Sequence, residues 1–354
     1  MKILYGVQGT GNGHITRARA MQAALSGQGI DVDWVFSGRP REKFFDMAAF
    51  GEFKVFRGLS FATKAGKVDL IKTFAEASLG QMLQDIKTLD LRQYDLVVTD
   101  FEPVVAWAAR KQGIPCIGIG HQYAFDHAIP KTDNSFASDA IMKWFAPVTL
   151  GIGVHWHHFN LPILPPIIEA DHNHGVPSSQ TLVYLPFEKS ERVLAELQTV
   201  DHPFIFHCAD LPEGRHNNVL VKGFSRDGFK ESLHATDGVI CNAGFELASE
   251  ALSLGRKIMV KPLKGQMEQA SNALALVQLG LGLSTDDVNS AAIQRFLHRA
   301  PLQRIAYPNV AERLAVWLSR YPDQTLDELV TQVWQGVVIP DYGTEPDLGM
   351  PVAS

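Results

Sequence analysis

The 354-residue sequence predicts an α/β protein of two domains, each a parallel β-sheet covered by helices, with a cleft between them. Three observations support this prediction. The chain is longer than a single hydrophobic core usually serves, so it has room for two. Short apolar runs alternate with helical patterns in both halves, and a stretch rich in prolines and polar residues interrupts the alternation near the middle.

The first half begins with the apolar run "KILYGV", which is followed by glycines and then by apolar residues at helical spacing. This helical stripe consists of Ile15, Ala18, Met21 and Leu25 and ends near Gly27. A second strand is predicted at "DVDWVFSG", and "YDLVVTD", "VVAWAARKQGI" and "PCIGIGH" repeat the order strand, helix, strand. Such alternation is typical of a parallel sheet with helices on both faces.

The interruption "NLPILPPIIEADHNHGVPSSQ" predicts a linker over residues 163–180, between a first domain at 1–162 and a second domain at 181–336. The second domain resumes the alternation with the predicted strands "TLVYLPF", "PFIFHCA", "NVLVKGF", "GVICNAG" and "KIMVKPL". From about residue 287 the pattern becomes helical, and we expect the last helices to pack back on the first domain. Residues 337–354 are predicted to form a frayed tail.

The composition is that of an ordinary folded protein and excludes several classes of function. The net charge of −6 argues against a nucleic-acid-binding surface. Cys116, Cys208 and Cys241 fit neither a disulfide framework nor a zinc site, so we expect buried thiols in a reducing compartment. Neither a signal peptide nor a run of about 18 apolar residues is found, which predicts a cytoplasmic protein. The segment "KWFAPV", residues 143–148, then either lies in the core or makes peripheral contact with the inner face of the membrane.

The loop "GTGNGH" between the first strand and the first helix predicts an anion-binding site, because backbone N–H groups and the helix dipole both point at it. Gly9 and Gly11 match the first two positions of the dinucleotide fingerprint G-x-G-x-x-G, but His14 stands at the third. No acidic residue stands at the end of the second strand to bind the ribose of NAD. A dinucleotide site would therefore require Arg39 to bind the extra phosphate of NADP. No Lys-Ser or Lys-Thr follows the glycines, which excludes a Walker-type loop.

His14 therefore stands at the first turn of a helix, at the carboxyl edge of a parallel sheet, where such folds bind their ligands. The alternative is a histidine that caps the helix or fills a gap in the packing. The glycines in front of His14 leave the backbone clear for the close approach of a ligand. For that reason we favour a catalytic role.

A second candidate site lies in "VICNAGFELASEALSLGRKIMVKPLKGQMEQASNALAL", residues 239–276. A predicted strand ends at Asn242, Gly244 lets the chain turn, and the free amides of the next helix could hold phosphate. Glu246 and Glu250 share a face of that helix and are suited to accept hydrogen bonds from ribose hydroxyls; the alternative is a solvated acidic face. The segment "GQMEQASN" adds amide and acid side chains suited to a hydroxyl-rich ligand: Gln266, Glu268, Gln269 and Asn272.

The motifs "GTGNGH" and "NAGFELASEAL...GQMEQASNA" together resemble those of nucleotide-sugar glycosyltransferases of the GT-B type, which consist of two Rossmann-like domains facing a cleft. The resemblance spans nearly the whole chain and is strongest to the bacterial and archaeal branch related to the peptidoglycan enzyme MurG. It implies that His14 is the general base, that Asp100 in "YDLVVTD" orients it, and that Glu250 holds the ribose of the donor. Phe224 would present its backbone to the uracil. It also places Gln266, Gln269 and Asn272 near the donor sugar. The remaining residues that we predict to bind the donor are Gly11, Asn12, Gly13, Asn242, Gly244, Phe245 and Glu246.

Two features need separate explanations. The loop "YLPFEKSE" stands where MurG-like enzymes have a glycine-rich turn, so Lys189 or Ser190 would have to supply its contacts to the diphosphate. The run "HWHH", residues 155–158, with His172 and His174 after it, raises the hypothesis of a metal site. No thiol or carboxylate nearby completes such a site, so we expect the end of a strand here and no metal.

The sequence thus predicts an inverting glycosyltransferase that moves a hexosyl or N-acetylhexosaminyl group from a UDP-sugar to an acceptor hydroxyl, with no metal or other cofactor. The second domain should bind the donor and the first domain the acceptor. The sequence does not identify this acceptor, and a glycan and a lipid-linked sugar both fit. Two alternatives remain, namely a nucleotide-sugar epimerase of the same fold and a nucleotide-binding module without catalysis.

Overall fold

The computed structural model describes residues 1–58, 63–64, 67–68, 79–132, 143–169 and 177–340. These residues form two α/β domains, each built on a sheet of parallel strands, which confirms the predicted fold class. His172, His174, part of the predicted linker and most of the predicted tail lie outside the described residues. Within the described ranges, no helix has the length and apolar character that crossing a membrane requires.

The strands of the first domain are β1 (Lys2–Gln8), β2 (Asp31–Ser37), β3 (Phe53–Val55), β4 (Thr63–Lys64), β5 (Lys67–Val68), β6 (Leu96–Asp100), β7 (Cys116–Gly120) and β8 (Leu150–Gly153). Strands β4 and β5 form a separate antiparallel pair, and the other six form one parallel sheet in the order β3-β2-β1-β6-β7-β8. The direction of strand succession reverses between β1 and β6. A ligand-binding crevice is therefore expected at the carboxyl ends of these two strands.

In the described part of the first domain, the α-helices that cover this sheet are α1 (Asn12–Gly27), α2 (Leu79–Thr88) and α3 (Pro103–Gln112). The predicted apolar stripe of α1 is buried, as the hydrophobic spacing requires. Helix α3 begins where Glu102 accepts hydrogen bonds from the amides of Val104 and Val105, and it ends at Gly113 in the left-handed conformation. These caps fix α3 directly behind the end of β6.

The strands of the second domain are β9 (Ser178–Tyr184), β10 (Phe204–His207), β11 (Gly214–His216), β12 (Val219–Lys222), β13 (Thr236–Asn242), β14 (Lys257–Lys261) and β15 (Leu283–Ser284). They form one sheet in the order β11-β12-β10-β9-β13-β14-β15. Only β11 runs antiparallel, because Asn217 in the left-handed conformation joins it to β12 in a tight hairpin. The strand succession reverses between β9 and β13, which places a second crevice at their carboxyl ends.

The helices of the second half are α4 (Ser190–Gln198), α5 (Arg226–Ala235), α6 (Phe245–Ser253), α7 (Met267–Gln278), α8 (Ser290–His298), α9 (Val310–Ser319) and α10 (Leu326–Trp334). Helix α9 packs against α1 of the first domain. The indole of Trp334 at the end of α10 donates to the carbonyl of Ile163, at 2.6 Å. The last two helices thus return to the first domain and hold the two halves together.

The structure shows how deeply the cysteines and the segment "KWFAPV" are buried. Cys116, Cys208 and Cys241 are buried and not paired with one another. In the segment, Trp144 is 46% exposed whereas Ala146 is 2% exposed. The segment therefore lies partly in the core and partly on the surface.

Candidate functional site

The crevice of the first domain brings together His14 and Asp100, which are 86 residues apart in the chain. Strands β1 and β6 are parallel neighbours, with Val7 paired to Asp100 at the carboxyl end of β6. His14 lies in the first turn of α1, which follows β1 after a short loop. The fold alone therefore places a histidine and a carboxylate at one edge of the sheet.

The Nδ1 atom of His14 lies 2.8 Å from the Oδ1 atom of Asp100. Asp100 is fully buried, and the His14 side chain keeps 16% of its surface exposed. Because a carboxylate can only accept, a hydrogen bond in this pair needs the hydrogen on Nδ1, and in the neutral ring the lone pair is then on Nε2. A terminal nitrogen of Arg17 lies 3.0 Å from the same Nδ1 atom. None of the described residues hydrogen-bonds to Nε2. This arrangement is the one that a histidine general base requires.

Arg17, which the sequence analysis did not single out, holds the other side of Asp100. It lies one turn beyond His14 on α1, and its Nε and one terminal nitrogen donate to the two carboxylate oxygens at 2.8 and 2.7 Å. Burial alone would raise the pKa of Asp100, but Arg17 and His14 outweigh it and hold the pKa below its ordinary value. The sequence did contain a signal for a role of Arg17 at the site, because a residue three positions after His14 on a helix lies on the same face.

The remaining terminal nitrogen of Arg17 contacts Glu246, which lies on α6 of the second domain. Burial raises the pKa of Glu246 to about 8; Arg17 lowers it, whereas Asp100 raises it further. The second carboxyl oxygen of Glu246, Oε2, is buried without a hydrogen-bond partner among the described residues. The guanidinium of Arg17 thus joins one acidic side chain from each domain.

The glycines of the first loop serve different purposes. A Cβ on Gly13 would lie 2.7 Å from Cγ of Glu246, and one on Gly9 would lie 2.6 Å from the ring of Phe44. A Cβ on Gly11 would meet no atom within 4 Å. The interpretation that these glycines clear space for a ligand does not apply to Gly9 and Gly13, because protein side chains fill the space beside them, and for Gly11 it remains a prediction.

Two neighbours of Asp100 show how closely its position is specified. A Cβ on Gly120, at the end of β7, would lie 2.8 Å from Oδ1 of Asp100. Phe101 follows Asp100 with a φ of 54°, in the left-handed region that a large side chain seldom occupies. Such a residue costs on the order of 1–3 kcal/mol and is often found at functional sites. Gly120 and the turn at Phe101 both give Asp100 room at the strand end.

The second crevice presents the N-terminus of α6. Strand β13 ends at Asn242, Gly244 precedes the helix, and no side chain caps the helix start. The amide of Asn242 donates to the carbonyl of Lys261 at 3.0 Å, and its oxygen Oδ1 is buried without a described partner. Uncapped helix amides and an open glycine position form the kind of site that binds phosphate.

Two of the predicted donor-binding residues, Phe245 and Asn272, contribute to the packing between the domains, and a third, Gln269, holds a loop of the second domain. The ring of Phe245 stacks on His121 with centroids 3.9 Å apart. Asn272 donates to the carbonyl of Ala243 at 3.0 Å, and its oxygen lies 2.7 Å from Nε2 of His121. Gln269 accepts from the amide of Leu263 at 3.0 Å. These side chains support the framework of the cleft, and their contact with a donor remains a prediction.

The other predicted donor-binding residues lie around the cleft. Glu250 is half-buried on α6, one turn beyond Glu246, and Gln266 is half-buried at the start of α7. Phe224 is 53% exposed, and its ring meets the edge of Tyr184 at 5.9 Å. Asn12, exposed at the start of α1, accepts a hydrogen bond from Arg39 at 3.0 Å. These positions are compatible with a nucleotide lying between Phe224 and the start of α6.

Lys189 and Ser190, in the loop that departs from the MurG pattern, are both candidates for contact with the diphosphate, and their surroundings differ. Ser190 is buried and donates to Oδ1 of Asp210 at 2.5 Å. Lys189 is exposed at the N-terminus of α4. Lys189 is therefore the better placed of the two to contact a diphosphate.

The histidines of "HWHH" act as local caps. The Nδ1 atoms of His157 and His158 accept hydrogen bonds from the amides of Phe159 and Asn160, at 2.8 and 2.9 Å. His155 is buried, and its Nδ1 accepts from the amide of Trp156. Among the residues that the structure describes, no group of three or more His, Cys, Asp or Glu side chains is placed to hold a metal ion.

Comparison with known proteins gives one family and a large set of similar folds. A model of glycosyl transferase family 1 matches residues 1–301. No curated protein matches the chain. Among solved structures, the glycosyltransferase SsfS6 from Streptomyces sp. SF2575 is 17% identical with a TM-score of 0.59, covering 94% of this chain and 99% of that chain.

Two further structures show the same likeness. Arabidopsis thaliana UGT89C1, which was solved in complex with UDP, is 15% identical with a TM-score of 0.58. MurG from Acinetobacter baumannii is 15% identical with a TM-score of 0.54. Each comparison covers 94% of this chain and 99% of the other. At these identities the likeness shows a common fold.

Proposed function

The chain belongs to glycosyl transferase family 1 and is a glycosyltransferase of the GT-B type, and we propose that it moves a sugar from a UDP-sugar to an acceptor hydroxyl with inversion. The observation that carries the proposal is the 2.8 Å contact between His14 and Asp100 at the crevice of the first domain. A histidine with a buried carboxylate on Nδ1 and an unbonded Nε2 is suited to remove a proton from a hydroxyl.

The proposed reaction is a single displacement. Nε2 of His14 takes the proton of the acceptor hydroxyl while that oxygen attacks the anomeric carbon of the donor sugar. The bond between the anomeric carbon and the β-phosphate oxygen breaks on the opposite face, and UDP leaves with the bonding electrons. Asp100 stabilises the imidazolium that forms.

The departing diphosphate is proposed to lie at the start of α6. Uncapped amides and the positive end of the helix dipole stabilise negative charge there without a metal ion. Lys189 is a further candidate for this contact. The choice of UDP is supported by the resemblance of the donor motif and by the structural likeness to a protein solved with UDP.

The transferred group is proposed to be a hexose or an N-acetylhexosamine, and the acceptor a glycan or a lipid-linked sugar. A lipid-linked acceptor would be met at the inner face of the membrane. Exposed Trp144, with Arg110 and Lys143 against its ring, is a surface feature that fits peripheral contact with lipid headgroups.

The test is to measure UDP binding by calorimetry and then to incubate the protein with UDP-sugars, with and without a panel of hydroxyl acceptors. We expect UDP to bind and a glycoside of inverted anomeric configuration to form only when an acceptor is present. Conversion of the donor into a second UDP-sugar without an acceptor would instead indicate an epimerase. UDP binding with no turnover across the panel would favour the nucleotide-binding module.

A further inference from the structure

Arg17 is buried where the proposed base of the first domain meets helix α6 of the second. Its guanidinium uses Nε and one terminal nitrogen for Asp100 and the other terminal nitrogen for Glu246. Only 2% of the side chain is exposed. A buried arginine of this kind is costly unless both its partners are in place, so its position depends on both domains.

The fork geometry explains why an arginine occupies this position. A guanidinium presents its N–H groups in a fixed plane, and two of them match the two oxygens of a carboxylate. With both oxygens of Asp100 held in this way, the carboxylate cannot rotate. Its Oδ1 atom is then directed at Nδ1 of His14, which fixes the imidazole ring.

Glu246 approaches Arg17 from across the cleft. It lies in the first turn of α6, and Gly13 leaves the space that its Cγ occupies. Glu246 and Glu250 are one turn apart on α6, yet Glu246 is buried against the first domain and Glu250 is half-buried. The two glutamates, which look alike in sequence, therefore meet different partners.

We propose that Arg17 and Glu246 form a positioning pair for the catalytic base: Arg17 orients Asp100 and through it His14, and Glu246 fixes Arg17 from the donor domain. The proposal rests on the proposed function and extends it. It makes the geometry of the base depend on closure of the two domains. It also separates Glu246 from the donor-binding role that its spacing from Glu250 predicts.

The test compares Arg17→Lys, Arg17→Gln and Glu246→Ala, which removes the acceptor of Arg17, with two controls. Arg226→Gln removes another ion pair between the domains, since Arg226 lies 3.0 Å from Asp46, but it leaves His14 untouched. Glu250→Gln changes the neighbouring glutamate of the same helix. We measure kcat, KM, the UDP dissociation constant and the pH profile of kcat/KM for each variant.

We expect the three test variants to lower kcat by about 10- to 100-fold, as displacement of a catalytic group does, with UDP affinity within about threefold of wild type. The acidic limb of the pH profile should also move in the Arg17 variants. Arg226→Gln should leave kcat within about twofold, and Glu250→Gln should weaken UDP binding instead. The double variant Arg17→Gln/Glu246→Ala should be scarcely worse than Arg17→Gln.

A second readout does not depend on activity. In the wild type and in Arg226→Gln, the Nδ1 proton of His14 should give a downfield proton resonance that disappears in His14→Ala. We expect this resonance to be shifted or lost in Arg17→Lys and Arg17→Gln. An unchanged resonance in both variants, or kcat within threefold of wild type in all three test variants, would overturn the proposal. Loss of UDP affinity in Glu246→Ala as large as in Glu250→Gln would do the same, whereas absence of transfer by the wild type would count against the proposed function alone.

Discussion

Glu246 and Glu250 show how much the surroundings of a residue decide its role. Both are glutamates on one face of α6, and the spacing alone gives them the same predicted function. In the fold, Glu246 is buried against Arg17, whereas Glu250 is half-buried and lies farther along the helix. Sequence spacing gives the helix face, but the partner on the other domain depends on tertiary packing. Arg17 was missed for the same reason, because an arginine on a surface helix usually points to solvent.

Replacing Glu250 by alanine should weaken UDP binding by roughly 1.5–3 kcal/mol, the range for hydrogen bonds to a charged group, and should leave the fold intact. The reason is that the carboxylate is proposed to accept hydrogen bonds from the ribose hydroxyls. Calorimetry with UDP measures the effect, and Glu231→Ala, on the surface of α5, is the control. Unchanged UDP affinity in a folded Glu250→Ala protein would remove Glu250 from the donor site.

At the scale of the elements, the carboxyl ends of the strands position the candidate site. Strand β6 delivers Asp100 and strand β7 ends beside it at Gly120, while β1 leads into the helix that carries His14. Alternating apolar runs predicted most of these strands, because each is buried on both faces. Strands β3 and β8 are only three and four residues long, and β11 pairs at an edge, so their patterns are too short to be recognised.

Gly120→Ala should lower kcat by about 10- to 100-fold with little change in UDP affinity, because the new Cβ would displace the carboxylate of Asp100. Steady-state kinetics and calorimetry test this expectation. Gly27→Ala, at the end of α1, is the matched control, since a Cβ there meets no atom within 4 Å. If the two alanine variants show equal kcat, the position of Asp100 is less important for turnover than we infer.

At the level of the whole molecule, contacts across the cleft join the two domains through buried and polar groups. Arg17 meets Glu246, His121 meets Asn272, and the last helices return to the first domain. The two-domain architecture follows from the sequence pattern and the family resemblance. The contact between Arg17 and Glu246 could not be predicted in this way, because the two residues are 229 positions apart and no local sequence pattern links them.

The stability of the protein should fall as the pH rises from about 5 to about 8, in part because of Glu246. Its pKa is raised from 4.5 to about 8 in the folded state, so the folded protein keeps a proton that the unfolded chain has released. The stabilisation is complete below pH 4.5 and is lost as the pH rises through about 8. The charged groups facing this carboxyl are Arg17, Asp100, Glu250 and Glu268.

Glu246→Gln is neutral at every pH and should therefore flatten this dependence. Urea unfolding at a series of pH values gives the free energy of unfolding for wild type and variant, with the surface substitution Glu231→Gln as the control. Equal slopes for wild type and Glu246→Gln between pH 5 and pH 8 would show that Glu246 is ionised throughout that range.

The measurement that tests the central claim most directly is the comparison of kcat and UDP affinity in His14→Ala and Asp100→Asn. If His14 is the general base, His14→Ala should lower kcat by roughly 10²–10⁴-fold, while UDP affinity stays near that of the wild type because the donor lies on the other domain. Asp100→Asn should also slow turnover, and the double variant should be scarcely slower than His14→Ala, since groups that act as one unit lose their effect together. Abolished UDP binding in His14→Ala, or turnover within a few-fold of wild type, would contradict the catalytic role of His14.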